Sequence, residues 1–314
     1  MEEKVHEHIA RAMYYFSVHL LYASIVGSAA WVLTSICGES ATTKYWIWVA
    51  TAFNFVVPLG ALIDKVWAPQ LTWAHPLGAI GDPVWRITEG RTAIVVGVIW
   101  TAGAAVMFTR LMLGIRAEHR DARMQARLAD GNVGSEFVTG GVPVSFDDGH
   151  SGPAVRGVFY PHILLPLGID RVLNPRELHA VLIHEMAHAR RRDNLIRLFY
   201  EFSLCVLWFH PLIWLAGARM ALYRELSCDE SVVRQAHGEA LVSALAKLAV
   251  PEHAGFLQAT ASSHLTYRLT RLAEPARATP RAANLLVASL FGAVVAAGVF
   301  QTIAHTACCF NLKR

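Results

Sequence analysis

The sequence has few charged residues, and this shortage excludes several classes of protein. Only 17% of its 314 residues are charged, while 54% are hydrophobic; an average soluble domain has roughly 25% and 45–50%. Disordered chains need the opposite balance, and collagens or coiled coils use a narrower set of residues. The composition therefore indicates a folded protein with membrane-spanning segments.

Cysteine is also scarce and is not arranged in pairs. The five cysteines are Cys37, Cys205, Cys228, Cys308 and Cys309. The last two are adjacent and cannot easily bridge each other, so we expect no disulfide framework. The formal net charge of +4 says little about partners, and we expect no direct binding of nucleic acid.

Four stretches contain no Asp, Glu, Lys or Arg at all. A membrane-spanning helix needs about 20 mostly apolar residues, because each adds about 1.5 Å against a hydrocarbon core of about 30 Å. A cleaved signal peptide is the alternative for the first stretch, but the acidic residues before it do not fit a basic leader. The four predicted spans are Ala12 to Cys37, Tyr45 to Ile63, Thr92 to Thr109 and Ala282 to Phe310.

The basic residues predict the orientation of these spans, because Lys and Arg accumulate on the cytoplasmic side. Five arginines follow the third span between Arg110 and Arg127, whereas the loop 64–91 balances three basic against three acidic residues. With the end of the third span placed in the cytoplasm, 21 of the 28 basic residues are cytoplasmic. We expect 1–114 to form a membrane domain with three spans, 115–281 a cytoplasmic domain, and 282–314 the final span and a short outer tail.

A helix with a metal-binding pattern follows two short runs that are typical of strands, Phe137 to Phe146 and Ala154 to Leu165. Asn174-Pro175-Arg176-Glu177 has the form of a helix start, with a capping side chain and Pro at the first helical position. The predicted helix, 175–192, contains His184-Glu185-Met186-Ala187-His188. Two histidines four residues apart share a helical face and can bind one Zn²⁺, while Glu185 can act as the general base.

A catalytic zinc needs a third protein ligand. Asp193 and Glu201 are close in sequence, but we place Asp193 at the end of the same helix and expect Asp193→Ala to keep metal and activity. Glu225 is the better candidate, and Asp229, one turn later, can orient a ligand imidazole. The alternative is that Glu225 and Asp229 belong to a charged helix surface.

The segment 195–224 is largely apolar but too short for two crossings, which need about 40 residues and a turn. A single crossing would place Glu225 about 30 Å from His184. We therefore predict a re-entrant or interfacial helical hairpin broken at His210-Pro211, with His210 as a hairpin residue rather than a ligand. Residues 239–249 and 263–273 are predicted to form two short amphipathic helices.

Several motifs together resemble the integral-membrane metallopeptidases that include the BlaR and MecR antirepressors. The resemblance covers most of the chain. It rests on Lys44-Tyr45-Trp46, on Val158 to Pro161 leading to Leu164-Leu165-Pro166, on Leu178 to His188 continuing into Arg191 to Leu195, on Phe209 to Trp214, and on Glu225 to Glu230.

The resemblance implies a gluzincin site. His184, His188 and Glu225 would bind one Zn²⁺, Glu185 would be the catalytic base, and Asp229 would support a ligand from behind. The fold class expected is an α-helical integral membrane protein with a cytoplasmic α+β gluzincin metalloprotease domain. The family's sensors carry a penicillin-binding domain after the last span, and we expect this chain to lack that domain and to form no covalent adduct with β-lactams.

The function expected is a zinc endopeptidase in a bacterial cytoplasmic membrane, with its active site facing the cytoplasm. It would contact membrane lipid and cleave a cytoplasmic protein such as a transcriptional repressor, and it could form a homo-oligomer. A membrane quality-control metalloprotease is one alternative. A non-catalytic signalling scaffold with a structural zinc is the other, and that site would need a fourth protein ligand.

Overall fold

The computed structural model describes residues 2–36, 40–57, 91–129, 137–147, 152–249, 259–273 and 281–311. These residues are mostly helical, with one small sheet. In chain order the elements are α1 (Glu2–Ile36), α2 (Ala41–Val56), α3 (Arg91–Ala129), β1 (Phe137–Thr139), β2 (Val142–Asp147), β3 (Ala154–Arg156), β4 (His162–Pro166), α4 (Ile169–Val172), α5 (Pro175–Arg191), α6 (Asp193–Leu207), α7 (Pro211–Val233), α8 (Gly238–Leu248), α9 (Ala259–Ala273) and α10 (Arg281–Asn311).

Two of the described helices are long and apolar enough to cross a membrane. The stretches are His19–Ile36 in α1 and Ile94–Ala117 in α3, which overlap the first and third predicted spans. The described apolar stretch of α10, Ala282–Ala297, is shorter, and α2 has 16 residues. Residues 58–63 of the predicted second span lie outside the described residues. The second span, and the fourth because its described apolar stretch is short, therefore stay predictions.

Helix α2 packs at the centre of the largest apolar cluster. Trp48 and Phe55 of α2 are fully buried, and they belong to one core with Leu207 of α6 and Ile213 of α7. Burying a large apolar side chain contributes about 1.5–3 kcal/mol, so this core holds the α6–α7 pair firmly against α2.

The sheet is mixed, in the order β1-β2-β4-β3. Strands β1 and β2 pair antiparallel, β2 and β4 parallel, and β4 and β3 antiparallel. Each predicted strand run therefore contains two strands, because glycines interrupt it. Gly140 and Gly141 form the first turn with positive φ angles of 53° and 83°, and Gly157 has a φ of 86°, a conformation that only Gly adopts at little cost. Strand β3 is left at one edge of the sheet.

Helix α5 begins as predicted and ends one residue early. Asn174 accepts from the N–H groups of Arg176 and Glu177, and Glu177 reaches back to the Asn174 N–H, which completes a capping box. The helix stops at Arg192, whose φ of 56° and ψ of 46° are left-handed. The backbone therefore turns at Arg192, and Asp193 begins α6 instead of ending α5.

Helices α6 and α7 form a hairpin whose break is where the sequence predicts it. Helix α6 ends at Leu207, and Pro211 is the first residue of α7, where a missing N–H costs nothing. Trp208 packs directly on Gly103 of α3, so any larger residue at position 103 would collide with the indole. The two short helices predicted after the hairpin are also present, as α8 and α9.

Candidate metal centre

Helix α5 presents two imidazoles to one point. His184 and His188 lie one turn apart, both largely buried, with side chains 6% and 13% exposed. Their Nε2 atoms approach to 3.2 Å, while their Nδ1 atoms point away toward carboxylates. The capping box and the apolar contacts of α5 with the sheet fix this helix, so the pair is positioned by rigid structure rather than by a loop.

Helix α7 brings a carboxylate to the same point. Glu225 Oε2 lies 3.6 Å from His184 Nε2 and 3.7 Å from His188 Nε2. A point equidistant from three atoms with these separations lies about 2.0 Å from each, the usual length of Zn–N and Zn–O bonds. The three donors predicted as ligands are therefore brought together at distances that fit a zinc ion.

Cys228 is a competing donor from the same helix. Its Sγ and one ring nitrogen of each of the two histidines lie within 4.8 Å of one another. Cys228 is fully buried, and its Sγ accepts a hydrogen bond from Arg191 Nη2 at 3.2 Å. Glu225 lines the neighbouring cavity whereas Cys228 is not among its lining residues, so Glu225 is the donor on α7 that faces the cavity.

Asp229 contacts the ring nitrogen of His184 that faces away from the other donors, and an arginine binds Asp229. Asp229 Oδ1 lies 3.1 Å from His184 Nδ1, in an ion-pair contact. Arg268 of α9 binds both oxygens of Asp229 and also approaches Glu225 Oε2 to 3.4 Å. A carboxylate on the far nitrogen favours the tautomer whose Nε2 lone pair is free for a metal. Arg268 could not be identified from the sequence, because an arginine in a short amphipathic helix carries no signal of its own.

Asp193 contacts the second imidazole in the same way, and its position at the start of α6 corrects the expectation that it lies at the end of the motif helix. Its Oδ2 lies 2.6 Å from His188 Nδ1. Arg191 donates to both oxygens of Asp193, and Tyr45 of α2 donates to Oδ1 at 3.0 Å. Because the chain reverses at Arg192, Asp193 returns beside the ring from the start of α6. The role could not be predicted from the sequence, because it depends on the left-handed conformation of Arg192 between α5 and α6.

The carboxylates make the centre attractive to positive charge. Burial alone would lower the pKa of His184, but Asp229 and Glu225 outweigh burial and raise this pKa to about 9. Burial also opposes the charged form of His188, yet Asp193 and its other partners raise the pKa of His188 well above its usual value. Burial raises the pKa of Glu225, but the two imidazoles lower it overall. A metal ion that binds here must displace the imidazole protons.

A cavity of about 420 Å³ opens beside the three donors. Glu185, adjacent to His184 on α5, is among its lining residues, so the predicted base faces the same space as the ligands. Edge strand β3 contributes Ala154 and Val155 to the wall, and α8 contributes Leu241 and Leu245. The cavity therefore joins the donors, a carboxylate, a strand edge and an apolar surface.

Asn194 fixes the edge strand to the metal centre. Its Nδ2 donates to the carbonyl oxygens of Val155, at 3.0 Å, and Gly157, at 3.1 Å. The preceding residue is Asp193, which contacts His188. Adjacent residues at the start of α6 therefore hold a candidate metal ligand and the strand that borders the cavity.

His210 has the structural role that its position at the hairpin break predicts. Its Nε2 lies 3.1 Å from Ser24 Oγ of α1, and its ring packs against Phe55 of α2. The hydrogen bond and the ring contact attach the break to α1 and α2. His210 is not among the cavity-lining residues.

The sequence is similar to those of known regulatory and peptidase proteins. A protein-family model described as BlaR1 peptidase M56 matches residues 16–272. Regulatory protein BlaR1 of Bacillus licheniformis is 37% identical over 82 residues, which are 26% of this chain and 14% of that protein. The methicillin resistance mecR1 proteins of Staphylococcus aureus and Staphylococcus epidermidis are each 23% identical over 99 residues, or 32% of this chain and 17% of theirs.

The matched segments span less than a fifth of these relatives, whereas the family match covers most of this chain and includes α5, α6, α7 and the candidate metal centre. The chain belongs to the BlaR1 peptidase M56 family.

Proposed function

We propose that the protein is a membrane-embedded zinc endopeptidase of gluzincin type. The observation that carries this proposal is the convergence of two imidazoles from α5 and one carboxylate from α7 beside Glu185, at the wall of a cavity. His184, His188 and Glu225 would hold one Zn²⁺. When bound, the zinc supplies Lewis acidity to the scissile carbonyl and to the attacking water.

The chain's own residues supply the rest of the chemistry. Glu185 takes a proton from the attacking water and passes it to the leaving amine. Asp193 and Asp229 keep the ligand imidazoles in the tautomer whose Nε2 faces the metal. Their contacts with Arg191 and Arg268 compensate the buried negative charge, because an unpaired buried carboxylate would be costly.

The substrate would bind as an extended segment along β3. Strand β3 is an edge strand that pairs with β4, and its residues Ala154 and Val155 line the cavity together with Glu185. A peptide can add to such an edge through main-chain hydrogen bonds. Leu241, Leu245 and Leu248 of α8 line the cavity and would receive an apolar side chain of the substrate.

A multi-pass membrane topology with four spans is part of the proposal. It is supported by α3, where exposed Ile94, Val98, Ile99 and Val106 present apolar surface over a stretch with no buried residue. Such an apolar surface is favourable in contact with the hydrocarbon of a lipid bilayer. The basic residues would place 110–281 in the cytoplasm, with α6 and α7 as a re-entrant or interfacial hairpin. Cysteine labels near Arg123 would then react only from inside, and external labelling there would contradict this orientation.

The biological role would be signal transduction. The relatives are named a regulatory protein and methicillin resistance proteins, so we infer that this chain cleaves a cytoplasmic protein, such as a transcriptional repressor, in response to a signal. Membrane lipid is its other expected partner, and self-association into a homo-oligomer is compatible with this role.

A non-catalytic scaffold is the second candidate, and Cys228 is the observation in its favour. If Cys228 joined His184, His188 and Glu225, the site would have four protein ligands and would be closed, as structural zinc sites are. Cys228→Ala would then lose zinc and no substrate would be cut. In the peptidase proposal Cys228→Ala keeps zinc.

The direct test of the proposed function is comparative proteomics of cells that express the wild type or Glu185→Gln. We expect a small set of cytoplasmic proteins to be cleaved only in wild-type cells, with termini that map to one sequence preference. Identical proteomes, with both proteins present in the membrane at equal levels and loaded with zinc, would contradict the proposal.

A further inference from the structure

The first turn of α2 is attached to the helix that carries Glu225. Glu230, near the end of α7, accepts hydrogen bonds from the backbone N–H groups of Ala41 and Thr42. Thr42 Oγ1 lies 2.9 Å from Ser227 Oγ and 3.1 Å from Glu230 Oε2. A carboxylate at a helix N-terminus satisfies free N–H groups and the helix dipole together, so this junction sets where α2 begins relative to α7.

Tyr45, one helical turn after Ala41 in α2, contacts the metal centre through Asp193. Its side chain is 1% exposed, and its hydroxyl donates to Asp193 Oδ1 over 3.0 Å. The other oxygen, Oδ2, lies 2.6 Å from His188 Nδ1. Arg191 lies over the Tyr45 ring, 4.4 Å from its centroid, and donates to both oxygens of Asp193. One carboxylate thus joins α2 to a candidate metal ligand.

Among the described contacts of Asp193, Tyr45 is the donor that comes from outside the α5–α6 corner. Arg191 and His188 both belong to α5, so they move with Asp193 if the corner shifts. Tyr45 is 148 residues away in sequence and belongs to the helix at the centre of the main core. The hydroxyl therefore fixes the position of the carboxylate, and of the imidazole that contacts it, relative to α2.

We propose that Tyr45 is a positioning residue of the metal centre, which orients Asp193 and through it the ring and tautomer of His188. The identity of the centre rests on the proposed function. The first turn of α2 is then the element that completes the site, because it contacts the Glu225 helix through Glu230 and the His188 ligand through Tyr45.

This arrangement links the metal centre to the position of α2. A displacement of about 1 Å is enough to take a 3.0 Å hydrogen bond out of range. Helix α2 overlaps the predicted second span, so a signal that shifts or rotates α2 would change the support of His188. The coupling runs through two hydrogen bonds in series and needs no rearrangement of α5.

Tyr45→Phe is the variant that tests the proposal, because it removes the hydroxyl and keeps the ring over Arg191. Tyr22→Phe is the matched control, since Tyr22 is a buried tyrosine of α1 outside the site. We expect Tyr45→Phe to weaken zinc binding about tenfold and to change the visible absorption spectrum of the cobalt-substituted protein. Tyr22→Phe should do neither. Wild-type affinity and an unchanged cobalt spectrum in Tyr45→Phe would overturn the proposal.

A double-mutant cycle shows whether Tyr45 acts through Asp193. In an Asp193→Ala background, Tyr45→Phe should have no further effect on zinc affinity, because the two residues form one chain of contacts. Additive losses would overturn the positioning role, since they would mean that Tyr45 affects the site by general stabilisation. The unfolding temperature of each metal-free variant is measured in parallel, and Tyr45→Phe should lose more zinc affinity than Tyr22→Phe when the two lose similar stability.

These measurements also separate this proposal from the proposed function. If the wild type binds zinc but cleaves nothing, while Tyr45→Phe still changes the cobalt spectrum, the peptidase function fails and the positioning role stands. If Glu185→Gln abolishes cleavage and Tyr45→Phe leaves metal affinity and spectrum unchanged, the function stands and the positioning role fails.

Discussion

Arg268 binds Asp229 through two parallel hydrogen bonds, 2.9 Å from Nε to Oδ2 and 2.8 Å from Nη2 to Oδ1. Asp229 in turn lies 3.1 Å from His184 Nδ1. A short amphipathic helix, α9, is thereby tied to a candidate metal ligand on α5. The pairing also keeps a carboxylate with 4% exposure compensated, which a buried charge requires.

Arg268→Lys should therefore weaken metal binding although it keeps the charge. A lysine ammonium cannot bind both oxygens of Asp229 in the planar geometry that a guanidinium provides. We expect zinc affinity, measured by competition with a chelator, to fall about tenfold or more. Arg271→Lys, three residues later in α9, is the matched control and should bind zinc as the wild type does. Equal affinities for both variants would remove Arg268 from the site.

The third ligand can be identified by comparing two substitutions on α7. Glu225→Ala should lose bound zinc and reduce cleavage by at least about a hundredfold, because a site with two protein ligands is weak. Cys228→Ser should keep about one zinc per chain, since Glu225 and not Cys228 lines the cavity. Zinc content by elemental analysis decides between them, and a zinc-loaded Glu225→Ala protein would assign the ligand elsewhere.

Substitution of Asn194 should weaken substrate binding and leave the rate of the chemical step nearly unchanged. Asn194→Ala removes the two hydrogen bonds that hold Val155 and Gly157 of the edge-strand segment beside α6. A peptide that adds to β3 would then bind less well, so KM should rise roughly fivefold to tenfold while kcat changes by less than about twofold. Steady-state kinetics on a cleaved peptide measure both constants. A fall in kcat at constant KM would show that β3 does not hold the substrate.

The α5–α8 contact predicts a pH-dependent stability. Glu177 accepts from Lys247 Nζ at 2.7 Å, Ser243 Oγ at 2.6 Å and the Asn174 N–H at 2.8 Å. These contacts lower the pKa of Glu177 from 4.5 to about 2. The ionised group therefore stabilises the fold fully above the unfolded pKa, and this contribution is lost as the pH falls from about 4.5 to about 2.

Lys247→Met tests this dependence, because it moves the pKa of Glu177 back toward its ordinary value. The variant should have a lower unfolding temperature than the wild type at pH 6, and the difference should become smaller at pH 3. Thermal unfolding followed by circular dichroism at the two pH values measures it. The same difference at both pH values would mean that Lys247 acts through its apolar stem and not through Glu177.

Local patterns were sufficient to predict the helix that carries the motif. The Asn174-Pro175 start, the capping Glu177 and the His184–His188 spacing all lie within one helix. Residues that are close in sequence there are also close in space, at spacings that the helix fixes. The helical break at His210-Pro211 was predictable for the same reason, since the effect of Pro is local.

Contacts between distant segments could not be predicted in this way. Tyr45 and Asp193 are 148 residues apart, and Arg268 and Asp229 are 39 residues apart, so no periodicity relates them. Asp193 was misplaced because the left-handed turn at Arg192 is a backbone reversal at a non-glycine residue, which the residue type does not signal. The parts of the site that the sequence did not indicate are thus Tyr45, Arg268 and the contact of Asp193 with His188, whereas Asp229 was predicted as a support of a ligand.

The central claim is that three donors hold one catalytic zinc and that Glu185 moves the proton. The most direct measurement is zinc content and peptide cleavage of purified wild type and Glu185→Gln, side by side in the same membrane mimic. We expect about one zinc per chain in both proteins and a loss of cleavage in Glu185→Gln of about 10²–10⁴-fold. Wild-type cleavage by Glu185→Gln, or cleavage by a wild type that holds no metal, would contradict it.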